Sequence, residues 1–192
     1  MPVSASRVLE RTMTRTLTLL PILLSLALVG CKDPPVNRGP STPLKAVEVV
    51  DLQRYAGKWY EIARFPNSFE EDCVAVTATY SGNPDGTIKV VNSCRLKSFT
   101  GEVDVAQGRA RVLDTQSNAK LAVSFFWPFE GDYWILALAD DYTWVLVGEP
   151  SGRYLWILSR TPHISDALRT NLIGRLDVMG YNAKALFWTP QP

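Results

Sequence analysis

The sequence predicts an all-β fold: an eight-stranded up-and-down antiparallel β-barrel with one C-terminal α-helix packed outside. Three observations carry this prediction. Short stretches of period-two alternation follow one another from residue 57 to residue 160, with turn chemistry between them and no long helical pattern. The period then changes once, to an apolar stripe at spacing four (Leu168, Leu172, Leu176) after Ser165. The 192 residues are 46% apolar and include six Trp, which suits one domain with a large aromatic interior.

The chain begins with an export signal. Arg7, Arg11 and Arg15 form a basic region, and Leu17 to Val29 is an apolar run broken only by Thr18, Pro21 and Ser25. That run is too short for a comfortable bilayer span. It ends in Leu28-Val29-Gly30-Cys31, which resembles a bacterial lipobox. In such a motif the Cys31 thiol receives a diacylglyceryl group, the chain is cleaved before it, and the new amino terminus is acylated. Several acyl chains anchor stably where one is marginal. An ordinary signal peptide with an incidental Cys is the alternative, and Met13 is an alternative start. Lys32, not Asp, follows the Cys. By resemblance to enteric sorting, the expected address is the outer membrane, with the body facing the periplasm. Residues 1–30 are thus read as a lipoprotein signal, 31–45 as a lipidated Cys with a Pro-rich tether, and 46–192 as the barrel domain. Four Pro and Gly39 between residues 32 and 44 exclude helix and central strand. At about 3.1 Å per residue, this tether would hold the body some tens of ångströms from the lipid.

Asp51 to Tyr55 reads as a helical turn capping one barrel end. Strands are expected at about 57–65, 73–81, 87–95, 101–114, 119–126, 132–139, 143–148 and 154–160. Asn83-Pro84-Asp85-Gly86 and Asp141-Tyr142 are turns. Ser165 is an N-cap with Asp166 in the first turn, and Gly180 suits the position past the helix end. Residues 185–188 read as a short last strand beside the first. Such a barrel leaves no sheet edge exposed.

Three blocks in order resemble the signature of the lipocalin family: Gly57-x-Trp59-Tyr60, Asp141-Tyr142, and Arg160 ending the eighth strand. The run from Tyr154 to Pro162 followed by Ile164-Ser165-Asp166, the run Val123 to Phe129, and the lipobox are similar to the bacterial branch. The resemblance covers about residues 46–188. It implies that Arg160 lies across Trp59 at the closed end, stacking on the indole and donating to nearby carbonyls. Gly57, Trp59, Asp141 and Arg160 are then structural closure.

A barrel of about eight strands holds one small ligand. If Trp59 and Arg160 point inward, period two extends the inward set. The candidate ligand-binding residues are Phe69, Val76, Ala78, Val90, Val123, Phe125, Tyr133, Ile135, Tyr154 and Trp156. The like-facing sets also include Tyr80, Ile88, Leu121, Leu158, Ala137 and Ala139. Small residues among aromatics (Ala78, Ala106, Ala110, Ala137) leave space for a long apolar ligand. The branch's association with fatty acids and lysophospholipids implies that class, with Tyr133 and Tyr154 hydroxyls for a polar head and Phe69 at a rim. A solid core is the bland alternative. Glu61 has inward parity, either as a head-group contact or as a satisfied buried acid.

Cys73 and Cys94 are an even pair in an oxidising compartment, which favours a disulfide. Parity opposes it, since odd Cys73 faces outward and even Cys94 inward; only a bulge would bring them together. No metal-ligand cluster, phosphate loop or activated nucleophile is visible, so no catalytic residue, metal or cofactor is expected. His163 alone reads as a surface residue. After the first thirty residues, 17 basic and 18 acidic side chains remain, which excludes an electrostatic nucleic-acid surface. The expected partners are the ligand and the membrane through the anchor; a homodimer stays open. The function reading is storage or transport of hydrophobic ligands in the envelope. An interaction protein with a solid barrel, and an enzyme acting on a lipid or pigment, are the alternatives.

Overall fold

The structure is a computed structural model that describes residues 33–39 and 43–192. The export signal and Cys31 lie outside the described residues. The first element is the short helix α1 (Leu52–Tyr55), whose N-cap Asp51 accepts from the amides of Gln53 and Arg54. Eight strands follow: β1 (Gly57–Arg64), β2 (Cys73–Gly82), β3 (Ile88–Leu96), β4 (Val103–Val112), β5 (Lys120–Phe126), β6 (Phe129–Leu138), β7 (Trp144–Gly148) and β8 (Leu155–Ser159). Each pairs antiparallel with the next, and β1 pairs with both β8 and β2, which closes the barrel. Helix α2 (Asp166–Val178) and β9 (Phe187–Trp188) complete the fold, with β9 on the edge of β1.

Because successive strands alternate in direction, the ends of the barrel are easily told apart. β1, β3, β5 and β7 run away from α1, so the turns after them form the mouth. The turns at 83–87, 113–119 and 139–143 lie at the base with α1. β6 starts at Phe129, three residues before the alternation suggests, because Phe126 and Phe129 still pair across the β5–β6 turn.

The interior cluster includes Tyr55, Trp59, Tyr80, Val90, Leu121 and Ile135, with Val47 and Val50 plugging the base. A second cluster lies between the outer wall and α2. Ser165 caps α2 by accepting from the Leu168 amide, and Leu172 and Leu176 are fully buried against outward-facing Ala63, Leu146 and Ile157. Gly180 takes the left-handed conformation past the helix end, with φ of +83°.

Two departures matter for function. The segment read as a spacer is held against the body. The Asn37 amide donates to the Gly152 carbonyl at the mouth, Gly39 to Gly180, and Asn182 back to Asn37. The second concerns the wall between β1 and β2, which are paired only over residues 57–60 and 77–80. Toward the mouth the C-terminal residues fill the gap: Thr189 donates to the Ile62 carbonyl, Ala75 donates to Pro190, and the Gln191 side chain donates to the carbonyls of Glu61 and Val76.

Candidate functional site

Trp59 and Arg160 lie together at the base of the barrel. Trp59 is 0% exposed, and its indole N–H donates to the Tyr55 carbonyl at 2.8 Å. The Arg160 guanidinium carbon lies 3.8 Å from the Trp59 ring centroid. Its nitrogens donate to the carbonyls of Lys58, Arg54, Tyr55, Ala56 and Tyr142. One planar fork thus ties β8, α1 and β1 together. Gly57 has a φ of +94°, which a side chain would strain. Asp141 accepts from the Thr143 amide and hydroxyl, a turn-capping role that holds its carboxyl below the usual range. Tyr142 beside it accepts the Asp51 amide and carries Arg54 over its ring at 4.0 Å.

Beside this closure, at the base of the barrel, a cavity of about 390 Å³ is lined by Tyr55, Tyr80, Tyr133, Leu121 and Val123, and it opens between α1 and the β2–β3 turn, where Gln53 and Gly86 are exposed. Its volume falls within the range of small-molecule sites, about 300–1,000 Å³. The Tyr133 hydroxyl meets those of Tyr55 at 2.7 Å and Tyr80 at 2.9 Å. Burial raises the pKa of all three, Tyr80 to about 12, so they are neutral phenols at physiological pH. Tyr133, expected to meet a polar head, is instead occupied in this triad at the base.

Of the other predicted lining residues, Ala78, Val90, Val123, Phe125, Ile135 and Trp156 belong to the interior cluster. Tyr154 stacks on Trp156 at the mouth, with ring centroids 5.9 Å apart and planes 5° apart. Phe69 is 62% exposed on the rim, 5.9 Å from Tyr154. Val76 is buried on the same inner face, in a small separate cluster with Cys73 and Cys94. Ala137 departs from its expected face. The register shifts between Ile135 and Ala137, which turns Ala137 to the outer wall. Inward-facing Ala106 is exposed, while Phe125 and Trp156 are half-buried. Solvent therefore enters the barrel from the mouth, which is a calyx rather than a filled core.

Cys73 and Cys94 form the disulfide, with Cα atoms 5.5 Å apart. A bulge between Val74 and Thr77 resolves the parity conflict. Ala75 takes a φ of +52° there, so Cys73 joins Cys94 on the inner face.

A buried ionic cluster was not foreseen. Glu61 and Arg64 are three apart, so a regular strand would set them on opposite faces. The register shift between Glu61 and Ala63 puts both inside. Arg64 donates to Glu61 at 2.8 Å and to Thr189, and also to the Glu70 carbonyl. The Glu70 carboxylate accepts from Asn67 at 2.6 Å and from the Trp156 indole at 3.3 Å. Thr189 donates to Glu61. Burial first, then the Glu70 charge, pushes Glu61 up to about 8, against the pull of Arg64. Glu61 is therefore a satisfied buried acid.

This shift carries a stability prediction. The unfolded chain releases the Glu61 proton near 4.5, whereas the folded protein holds it to about 8. The stabilisation is present below the first value and is lost as pH rises through the second, by at most about 1.4 kcal/mol per pH unit. Urea unfolding midpoints from pH 5 to 8 are expected to fall in the wild type and to flatten in Glu61→Gln. Equal slopes in the two proteins would contradict this assignment.

Among the described residues, no group of three or more His, Cys, Asp or Glu side chains is placed to hold a metal. What the geometry defines is a closed antiparallel β-barrel with an apolar cavity at its base and an interior that solvent reaches from the mouth. The sequence matches the family model described as a lipocalin-like domain over residues 50–191, and the chain belongs to the lipocalin family. It is 40% identical to the outer membrane lipoprotein Blc of Citrobacter freundii, over 91% of this chain and 98% of that protein. It is also 40% identical to temperature-induced lipocalin-1 of Arabidopsis thaliana, over 78% of this chain and 86% of that one. Among solved structures, insecticyanin from the tobacco hornworm Manduca sexta superposes with a TM-score of 0.65 at 18% identity, covering 84% of this chain and 90% of that one, which speaks for the fold alone.

Proposed function

We propose that the protein is a lipid-binding lipoprotein of the outer membrane, anchored through Cys31 with its body in the periplasm, which stores or carries a fatty acid or lysophospholipid. The observation that carries the ligand reading is an unfilled barrel interior, with an apolar cavity of about 390 Å³ toward the base and solvent-exposed Ala106 toward the mouth. A barrel filled by its own side chains would have neither. The lipobox supports the anchor, and the name of the Citrobacter relative supports the address. The calyx favours a binding protein over an enzyme: its buried acids are held by Arg64, Asn67, Thr189 and Trp156, and its tyrosines by one another.

One polar atom favours a lysophospholipid. The side-chain carbonyl oxygen of Asn92, between inward Ala78 and Ala106 in the ladder, is buried with no hydrogen-bond partner among the described residues. An orphan acceptor calls for a donor. A glycerol hydroxyl supplies one; an ionised fatty carboxylate does not.

The test is titration of tryptophan fluorescence with oleic acid and with lysophosphatidylethanolamine. Saturable quenching is expected for both. Ala106→Trp, which fills the calyx without touching the floor, is expected to weaken both at least about tenfold, or about 1.4 kcal/mol. Non-saturable quenching, or an Ala106→Trp protein that binds as well as the wild type, counts against the reading.

A further inference from the structure

The aromatic side chains that this fold leaves exposed gather at one end. Phe69 lies between β1 and β2, Phe99 between β3 and β4, and Trp127 between β5 and β6, with Phe126 and Phe129 ending those last strands. All three connections belong to the mouth. Phe126, Trp127 and Phe129 are 81, 91 and 77% exposed, and Val103 and Val105 of β4 extend the apolar surface. The turns at the base expose Leu113 but no Phe or Trp among the described residues. A concentrated apolar rim marks an interaction surface. A Trp flanked by Phe suits the membrane–water interface, where an amphipathic ring is at home.

The path of the N-terminal segment says which surface meets this rim. Asn37 is bonded to Gly152, in the β7–β8 turn at the mouth. The Arg38 Cβ lies 2.4 Å from where a Gly152 Cβ would stand, so the strap presses directly on that turn. Asp33 lies near enough to Tyr154 for its charge to act on that hydroxyl. The described chain therefore enters the fold at the mouth, not at the base. Cys31 is two residues earlier. Two extended residues span at most about 7 Å. An acyl group on Cys31 then holds the mouth, rather than the floor, at the lipid surface.

We propose that the protein docks mouth-down on the phospholipid bilayer that anchors it, with Phe126, Trp127 and Phe129 in the interfacial layer. A lipid then passes between bilayer and calyx without crossing water. The docking rests on the lipidation of Cys31 and goes beyond it, since a long free spacer would leave the direction of the mouth unset.

The full chain, expressed with its leader and purified from membranes, is reconstituted into phosphatidylethanolamine–phosphatidylglycerol vesicles whose acyl chains are brominated. Bromine quenches tryptophan only at bilayer depth. The wild type is expected to be quenched relative to unbrominated vesicles. Trp127→Phe should lose more than half of that quenching, whereas Trp144→Phe, at the other end of the barrel, should keep it. Phe126→Ser/Phe129→Ser should lose it with Trp127 still in place. All these positions are exposed or half-buried, and circular dichroism checks that each variant folds. The mass of the N-terminal peptide reports lipidation separately. A lipidated protein whose quenching survives Trp127→Phe overturns the docking and leaves the anchor standing. A Cys31 without lipid overturns the anchor and the docking together.

Discussion

Trp59→Ala is expected to lower the unfolding free energy by about 3–5 kcal/mol, the range for removing a large buried aromatic side chain. The indole is fully buried, donates to Tyr55 and carries the Arg160 guanidinium on its face. Its loss leaves a cavity and removes one of the two donors to the Tyr55 carbonyl, and it takes away the ring on which the five-carbonyl fork rests. Arg160→Lys is expected to destabilise less, because the charge stays while the planar donor set is lost. Trp59→Ala/Arg160→Lys should cost less than the sum of the two, since the residues share one contact. Urea unfolding measures all three. The structural reading of the floor fails if Trp59→Ala keeps the wild-type midpoint and loses only ligand binding.

Arg64→Met is expected to cost a comparable amount, about 3–5 kcal/mol, because it leaves buried carboxylates without their cation. Glu61 and Glu70 then lie buried without a cation, with only Thr189, Asn67 and Trp156 as side-chain donors. Adding Glu61→Gln to Arg64→Met should recover part of the loss. The deficit of Arg64→Met should also be smaller at pH 5 than at pH 8, since protonation removes the unpaired charge. A deficit that is the same at both pH values, and unrelieved by Glu61→Gln, would mean that Arg64 acts by packing on Phe187, 4.7 Å from its ring centroid, and not by charge.

The strands, the outer helix and the floor were legible because each rests on a local pattern. Alternation names a strand, Ser165 and Gly180 bracket α2, and Gly57, Trp59, Asp141 and Arg160 carry their roles in their residue types. Parity counting from Trp59 also reached Ala78, Val90, Val123 and Trp156. It failed where the register shifts. Ile62, Ala75 and Leu136 stand at three such places, and none is a Gly, Asn or Asp that would announce a bulge. Those shifts decide that Cys73 meets Cys94, that Ala137 leaves the interior, and that Glu61 and Arg64 share it. The strap and the C-terminal filling were invisible for another reason. Both are held by backbone and amide hydrogen bonds to distant residues, and such bonds leave no periodicity to read.

The filling between β1 and β2 also gives the barrel a sense of time. Gln191 reaches Val76 across 115 positions, and Thr189 reaches Glu61 across 128. Links of such length must first overcome the entropy of a long loop, so they form late. Until residues 189–191 dock, the side of the barrel is a slit over Glu61 and Arg64, open to water. The polar cluster is thus a group of charges that can remain hydrated during folding and is dried by the final stitch. Residues 189–191 fasten the wall of the barrel.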